Sequence, residues 1–218
     1  MSSVAVLTAN LGAFDDPVDP VPQVTQIPYK FHRFTDENFP PIAGLTPRLQ
    51  YRIPKMFGWQ MYPTFDYYIW LDGSVSLIRE DSINWLLEQL GNADIAVFKH
   101  PWRDTIKEEV DFIEKRLTRP GGDKYLTPRY ENGLHKEQYA DILLDPDYFD
   151  SKLYASTAFI YRDSEHMRDV LRMWWMHTSR YFTVDQIVLP YLLKDSDVKV
   201  IEANPFKGEY VSLVSKHV

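Results

Sequence analysis

The acid Asp72 stands where a continuous apolar and aromatic run, residues 67–71, gives way to polar residues. A carboxylate at the end of such a run can bind a divalent cation, with Gly73 allowing close backbone approach and Ser74 supplying a second oxygen. The metal would then offset the charge of a departing diphosphate. The alternative is an Asp-Gly turn that simply ends a strand, and this segment alone favours neither interpretation.

Basic residues precede this segment. Arg48, Arg52 and Lys55 are spaced by four and three residues, which predicts that they share one helix face. Such a cluster can hold phosphate groups, because arginine offers a planar fork of donors. A solvated basic face is the alternative interpretation.

Polar residues also lie at three other predicted strand ends. Ligands of open α/β sheets bind at the carboxyl ends of strands, so we expect these side chains to converge. His100, Trp102 and Arg103 occupy a strand-to-helix turn where neither core packing nor capping requires them, and we interpret them as substrate-facing. The polar pairs are Thr8 with Asn10, His100 with Arg103, and Ser156 with Thr157.

Two further motifs have a structural and a functional interpretation. Asp185 and Gln186 stand at a predicted helix start, where Asp185 can cap the helix or the pair can bind vicinal sugar hydroxyls. His217, one residue from the end, is either a terminal residue without a functional role or a ligand that folds over a metal. Thr105 and Glu108 fit a capping box and favour a structural role.

Composition limits the classes of function. The 218 residues and 25.7 kDa fit one domain, predicted over 1–218. A net charge of −7 disfavours broad binding to nucleic acid or anionic membranes. Without cysteine, a metal must be held by oxygen or imidazole, which suits Mg²⁺ or Mn²⁺. No basic leader or apolar run of roughly 20 residues is present, so we expect a cytoplasmic protein without a membrane span.

Predicted strands and helices alternate along the chain, which indicates one three-layer α/β domain with a mostly parallel central sheet. The long polar segment 119–135 is typical of a binding loop or lid. The strands are predicted at 4–12, 29–36, 66–78, 93–101, 152–163 and 198–206. The helices are predicted at 46–63 in part, interrupted at Pro54, and at 81–90, 103–117, 164–180 and 183–195.

The ordered segments resemble a known family, the glycosyltransferase-like proteins related to plant mucilage and pollen-turgor proteins. The resemblance spans Val4 to Pro205, and its most specific parts are 52–77 and 100–109. The layout is more distantly similar to glycogenin-type retaining transferases. The segments are VAVLTANLGAFDD, RFTD, RIPKMFGWQMYPTFDYYIWLDGSVSL, FKHPWRDTIKEEV, STAFIYRD and VDQIVLPYLL.

The resemblance implies a GT-A (Rossmann-like) fold, a UDP-linked sugar donor and a divalent metal, Mn²⁺ or Mg²⁺. It places Asp72 at the first acid of the family's DxD motif and the pair Asp185 and Gln186 beside the transferred sugar. Arg52 and Lys55 would approach the donor's phosphates or sugar. The rest of the implied donor site is Thr8, Ala9 and Asn10 around the base and ribose, with Gly73, Ser74, Ser156 and Thr157.

One departure from the motif matters, because the second acid of DxD is Ser74 here. Either Asp72 and another group such as His217 hold the metal, or a basic residue carries the leaving-group charge instead. The basic candidates are Arg52, Lys55 and Arg103.

The main hypothesis is therefore a hexosyl- or pentosyltransferase in which Asp72, Asp185 and Gln186 are catalytic. Asp185 and Glu109 are candidate bases if the enzyme inverts configuration. The acceptor, gripped by 119–135 and the turn around Trp102, is a glycan, a protein, a small molecule or a modified DNA base, the last in a viral context. The first alternative is a non-catalytic module that binds a nucleotide sugar or glycan, which Ser74 favours. The second is a metal-dependent phosphoesterase, weakened by the lack of clustered Asp and His residues for two metals.

Overall fold

Strand β1 (Val4–Asn10) is the apolar run at the start of the chain, and it lies inside the main sheet with β2 and β3 as parallel neighbours. The structure is a computed structural model that describes residues 2–215. Within that range the main sheet has six strands in the order β2-β1-β3-β6-β5-β7. The other five are β2 (Tyr29–Thr35), β3 (Tyr67–Asp72), β5 (Ile95–Lys99), β6 (Tyr154–Arg162) and β7 (Val198–Ile201).

The sheet is mostly parallel, as predicted, with β6 as the antiparallel strand between β3 and β5. This reversal corrects the placement of Ser156 and Thr157 at a strand's carboxyl end, because both lie near the start of β6. The start of an antiparallel strand meets the carboxyl ends of its neighbours. Ser156 and Thr157 therefore still lie at the same edge of the sheet as Asp72.

Both faces of the sheet are covered, which confirms the three-layer α/β prediction. Along β3, Tyr68 and Trp70 pack into one core while Ile69 and Leu71 pack into the other, because successive side chains point to opposite faces. The first core is closed by α2, α4, α6 and α7, and the second by α3 and a small sheet. The helices are α1 (Pro47–Gln50), α2 (Arg52–Met61), α3 (Ser82–Leu90), α4 (Ile106–Leu117), α5 (Thr127–Tyr130), α6 (His135–Ile142), α7 (Glu165–Tyr181) and α8 (Leu189–Leu192), and the small sheet pairs β4 (Val75–Leu77) with β8 (Val211–Leu213).

Two helix predictions are wrong in detail. The segment 46–63 breaks at Tyr51, between α1 and α2, whereas Pro54 lies in the first turn of α2. Proline is tolerated there because a first-turn N–H has no partner within the helix. The segment 183–195 is a 3₁₀ turn, Asp185–Ile187, followed by the short α8.

The predicted capping box is confirmed. Thr105 and Glu108 form the capping box that starts α4, and Gly91, with φ of 54°, ends α3. Trp174 is buried in the core. Among residues 2–215, none of the helices has the length and apolar character needed to cross a bilayer.

The sheet opens next to the end of β3. The β5–β6 register passes from Val97 paired with Phe159 to Phe98 paired with Ala155, so 156–158 have no partner on β5. On the other side, the β3–β6 pairing ends at Leu71 with Ala158. Such irregularities redirect side chains at sheet edges. Here they leave Ser156 and Thr157 beside the end of β3 without ladder partners on β5.

Candidate functional site at the carboxyl edge of the sheet

Asp72 is the last residue of β3, directly before a turn at Gly73 and Ser74, and three donors hold its side chain. Its Oδ1 accepts hydrogen bonds from the Tyr51 hydroxyl, from Trp70 Nε1 at 2.8 Å and from Lys55 Nζ at 3.2 Å. Within residues 2–215, Oδ2 has no hydrogen-bond partner, and 25% of the side chain is exposed. One carboxylate oxygen is thus fixed in the protein while the other remains available to a ligand.

Behind Asp72 lies a buried ionic cluster that includes Asp185. Lys55 Nζ is 2.8 Å from Asp185 Oδ2, and Arg52 Nε is 2.6 Å from Asp185 Oδ1 in an ion pair without hydrogen-bond geometry. The Arg52 guanidinium also donates to the backbone carbonyls of Thr178 and Thr183. Arg52, Lys55 and Asp185 are all buried. Asp185 therefore does not cap a helix, and its charge is matched inside the protein.

The charges around Asp185 fix its protonation state. Burial alone would raise the pKa of the carboxyl, but the positive charges of Arg52, Lys55 and Arg48 outweigh it and hold that pKa well below its usual range. Asp185 is therefore ionised at neutral pH and is a weak proton acceptor.

A second polar cluster is centred on Glu109, which α4 brings to the same edge. Gln186 Nε2 donates to Glu109 Oε1 at 2.9 Å, and the Arg103 guanidinium pairs with Oε2. Ser156 Oγ lies 3.4 Å from Gln186 Oε1. Burial raises the pKa of Glu109 despite the opposing effect of Arg103. The adjacency of Asp185 and Gln186 in sequence joins the two clusters.

His100 follows β5 and organises the turn after it. Its Nδ1 accepts from the backbone N–H of Arg103 at 3.1 Å, so the expectation that the turn does not need this residue is wrong. Nε2 lies 3.2 Å from Arg103 Nη2. Burial, together with the charge of Arg103, lowers the pKa of His100 to about 4. His100 is therefore a neutral imidazole at pH 7.

Trp102 is the exposed member of this turn, with 65% of its surface accessible. One indole face stacks on Phe206, with ring centroids 5.4 Å apart and planes 16° apart. His100 meets it edge-on at 5.7 Å. An aromatic ring fixed on one face and open on the other is a surface on which the apolar face of a sugar can stack.

The end of β1 shapes the other side of the site. Asn10 holds the following loop, since its Nδ2 donates to the Asp15 carbonyl at 2.6 Å and its Oδ1 accepts from the Asp15 N–H at 3.1 Å. Gly73 allows this loop to approach: a Cβ at that position would lie 2.7 Å from the Ala9 carbonyl oxygen and 2.9 Å from Asp15 Oδ2. Thr8 and Ala9 are buried in β1.

Ser74, which stands where DxD has its second acid, anchors the C-terminal segment. Its carbonyl oxygen accepts from the N–H groups of Val214 at 2.9 Å and Ser215 at 3.3 Å. The predicted metal ligand His217 lies outside the described residues. Within 2–215 no group of three or more acidic or histidine side chains is placed to hold a metal. Hard divalent cations need several oxygen ligands, so the described side chains alone do not fit Mn²⁺ or Mg²⁺.

The structure thus brings most of the predicted residues to one edge and adds several that sequence reasoning missed. Tyr51 and Trp70 contact Asp72, and Phe206 supports Trp102. Trp70 lies two residues before Asp72 on the same strand face, a spacing that could have indicated the contact. Phe206 is more than 100 residues from Trp102 in sequence, and no local pattern signals their stacking.

Comparisons with known proteins agree with this architecture. Residues 45–216 match the family model described as TOD1/MUCI70, glycosyltransferase-like domain. A search of curated protein sequences finds no match. Among solved structures, the chain is similar to the apo form of the bifunctional glycosyltransferase WbbM, with a TM-score of 0.50 and 11% identity over 94% of this chain and 39% of that one. At that identity the likeness shows the fold alone.

Two further structures are similar at lower scores. One is a glycosyltransferase involved in glycosylation of the major capsid of PBCV-1, with a TM-score of 0.45 and 8% identity over 94% of this chain and 82% of that one. The other is the galactosyltransferase LgtC in complex with donor and acceptor sugar analogues, with a TM-score of 0.40 and 10% identity over 92% and 73% of the two chains.

Proposed function

The chain belongs to the TOD1/MUCI70 glycosyltransferase-like family, and we propose that it transfers a hexose or pentose from a UDP-linked donor to an acceptor hydroxyl. The main observation that supports the proposal is the arrangement of charges around Lys55. One buried ammonium joins Asp72, at the end of β3, to Asp185, which precedes Gln186. The strand-end carboxylate with a free oxygen is thereby linked, through Lys55 and Asp185, to the residue next to Gln186, at the sheet edge where α/β folds bind ligands.

The proposed reaction breaks one bond and forms one. The acceptor oxygen bonds to the anomeric carbon, and the bond from that carbon to the distal phosphate oxygen breaks, so that its electron pair leaves with UDP. The acceptor's proton passes to a protein base if configuration inverts, or to an oxygen of the departing phosphate if it is retained. The protein's contribution is to align the two oxygens and to stabilise the charge on the diphosphate.

Of the two candidate bases, Glu109 suits the role better than Asp185. A base must have a pKa near the working pH. Burial raises the pKa of Glu109, whereas the charges of Arg52, Lys55 and Arg48 lower that of Asp185. We therefore assign Asp185 to positioning, through Lys55 and the neighbouring Gln186. Asp72 Oδ2 and Gln186 Oε1 are the oxygens we assign to hydroxyls of the donor.

On the acceptor side, the proposal uses the turn that follows β5. Trp102 presents an open aromatic face, and Arg103 and His100 lie beside it. Such a surface favours a glycan over the other acceptor classes, because sugar rings combine an apolar face with polar rims. Residues 119–135 would cover the bound substrates.

A second candidate function is a module that binds a nucleotide sugar without transferring it. Ser74 replaces an acid of the motif, and the described residues do not form a metal site. A protein of this kind would be stabilised by UDP but would release no sugar. The phosphoesterase hypothesis has no supporting observation in the part of the chain that the structure describes, where the acidic and histidine groups for two metals are missing.

The deciding experiment is a panel of nucleotide sugars, each with Mn²⁺ and with EDTA, followed by thermal shift and by release of free sugar. We expect stabilisation by one class of nucleotide and slow donor hydrolysis. Asp72→Asn should reduce both effects. Asp197→Asn is the matched control, since Asp197 is exposed and precedes β7 at the opposite edge of the sheet. A panel without any stabilising nucleotide would remove the donor-site assignment.

A further inference from the structure

Two arginines at the mouth of the site, Arg48 and Arg129, stack on aromatic rings. Arg48, in α1, donates from Nε to the Tyr130 hydroxyl at 2.7 Å, and its guanidinium carbon lies 5.1 Å from the centre of the Tyr51 ring. Arg129, in α5, lies 3.7 Å from the ring centre of Tyr125 and 4.1 Å from that of Phe14. Within residues 2–215, neither guanidinium forms an ion pair with a carboxylate.

The contrast with Arg52 and Lys55 is informative. Those two cations are buried and are balanced by the two carboxylates of Asp72 and Asp185. Arg52 and Lys55, which the resemblance places at the donor's phosphates or sugar, are therefore charge-balanced and shielded from solvent. Arg48 and Arg129 are half-buried and form no ion pair within residues 2–215, so only the more distant charges of Asp185 and Asp15 oppose theirs.

Contacts place both arginines around Asp72. Arg48 packs over Tyr51, whose hydroxyl donates to Asp72. Arg129 packs over Phe14, in the loop that Asn10 holds against Gly73. The two guanidinium groups also affect each other: burial, and then the charge of Arg48, lower the pKa of Arg129 although Tyr125 opposes them. Two neighbouring like charges in a partly dry site favour the binding of an anion.

Both arginines keep donors free for such an anion. Arg129 donates from Nη1 to the Tyr125 carbonyl at 2.7 Å, and within the described chain its Nε and Nη2 make no hydrogen bond. Arg48 uses Nε and Nη2 on the Tyr130 hydroxyl, which leaves Nη1. Stacking on aromatic faces fixes the planar groups and leaves their edges for oxygen ligands.

We infer that Arg48 and Arg129 bind the diphosphate of the donor and stabilise it as it leaves, so that nucleotide binding needs no divalent metal. The inference rests on the proposed function and adds to it the residues that face the leaving group. Two guanidinium groups supply positive charge and directed donors where the described side chains cannot complete a metal site. Arg129 thereby gains a role that its position in the 119–135 segment did not indicate.

The test is calorimetric titration of the full chain with UDP and with inorganic pyrophosphate, in EDTA and in Mn²⁺. We expect the unsubstituted protein to bind both ligands in EDTA. Arg48→Gln and Arg129→Gln should each weaken binding about tenfold or more, because each loses a charge-assisted hydrogen bond. Arg162→Gln is the matched control: Arg162 also stacks on a tyrosine and donates to its hydroxyl, at 2.9 Å from Tyr67, but at the opposite edge of the sheet.

The possible outcomes separate the inference from the proposed function. Binding that appears only with Mn²⁺, or that is as strong in both glutamine variants as in Arg162→Gln, overturns the role of the arginines while the donor site stands. No binding of UDP or pyrophosphate by the unsubstituted protein overturns both. If a glutamine variant fails to unfold cooperatively, Arg48→Lys and Arg129→Lys decide, since lysine keeps the charge but lacks the fork and should also bind more weakly.

Discussion

Lys55 Nζ lies 2.8 Å from Asp185 Oδ2, and the contact joins helix α2 to a 3₁₀ turn 130 residues further along the chain. Both side chains are buried, so the charged form of each is stabilised by the opposite charge of the other. The same ammonium also reaches Asp72 Oδ1 at 3.2 Å. The geometry of the free Asp72 oxygen is therefore set by a residue that does not itself face solvent.

Replacing Lys55 with methionine should strongly destabilise the protein. The substitution leaves Asp185 with Arg52 alone and Asp72 without a cation, and breaking a buried ion pair typically costs about 3–5 kcal/mol. Urea unfolding followed by circular dichroism measures the change. Lys107→Met is the control, because the Lys107–Asp111 pair is exposed and should contribute little. Equal stability of the two variants would contradict a structural role for Lys55.

The pKa of His100 predicts a pH dependence of stability. The pKa is about 4 in the folded protein and 6.5 ordinarily, so the unfolded chain binds a proton first as the pH falls. The contribution of His100 to the free energy of unfolding should therefore decrease from pH 6.5 to about pH 4 and stay constant below. His100→Asn keeps a hydrogen-bond acceptor for the Arg103 N–H and lacks the titrating ring. The difference between the two unfolding curves over this range measures the effect, and a constant difference would contradict it.

Sequence reasoning reached the fold and the edge of the sheet because those follow from short-range patterns. The run that ends at Asp72 and the period of α4 are visible in a few neighbouring residues. The ion-pair partners of the charged residues are not visible in neighbouring residues. The resemblance implies that Arg52 and Lys55 approach the donor, but both pair with Asp185, in a turn that the fold brings to α2 from far along the chain. A charged residue's spacing predicts a shared face and does not predict whether that face is buried.

Glu109→Gln should slow the proposed reaction about 100-fold or more while donor binding is unchanged, as expected for loss of a general base. The unsubstituted enzyme's rate should rise with pH through the Glu109 pKa, which lies above its usual value, and the variant should lack this rise. Glu108→Gln is the control on the same helix, because Glu108 only caps α4. A slower variant that keeps the same pH profile would assign Glu109 to positioning Gln186, which fits a retaining reaction.

Trp102→Ala should separate acceptor binding from donor binding. The ring is largely exposed, so its removal should alter stability little, and donor hydrolysis should continue at the same rate. With a panel of methyl glycosides as acceptors, we expect the KM for the acceptor to rise about tenfold, since the stacking surface is lost. Trp102→Phe keeps a smaller ring against Phe206 and should show an intermediate KM. If the alanine and phenylalanine variants transfer sugar as efficiently as the unsubstituted protein, the acceptor does not stack on Trp102. A protein or small-molecule acceptor bound by residues 119–135 then becomes the better hypothesis.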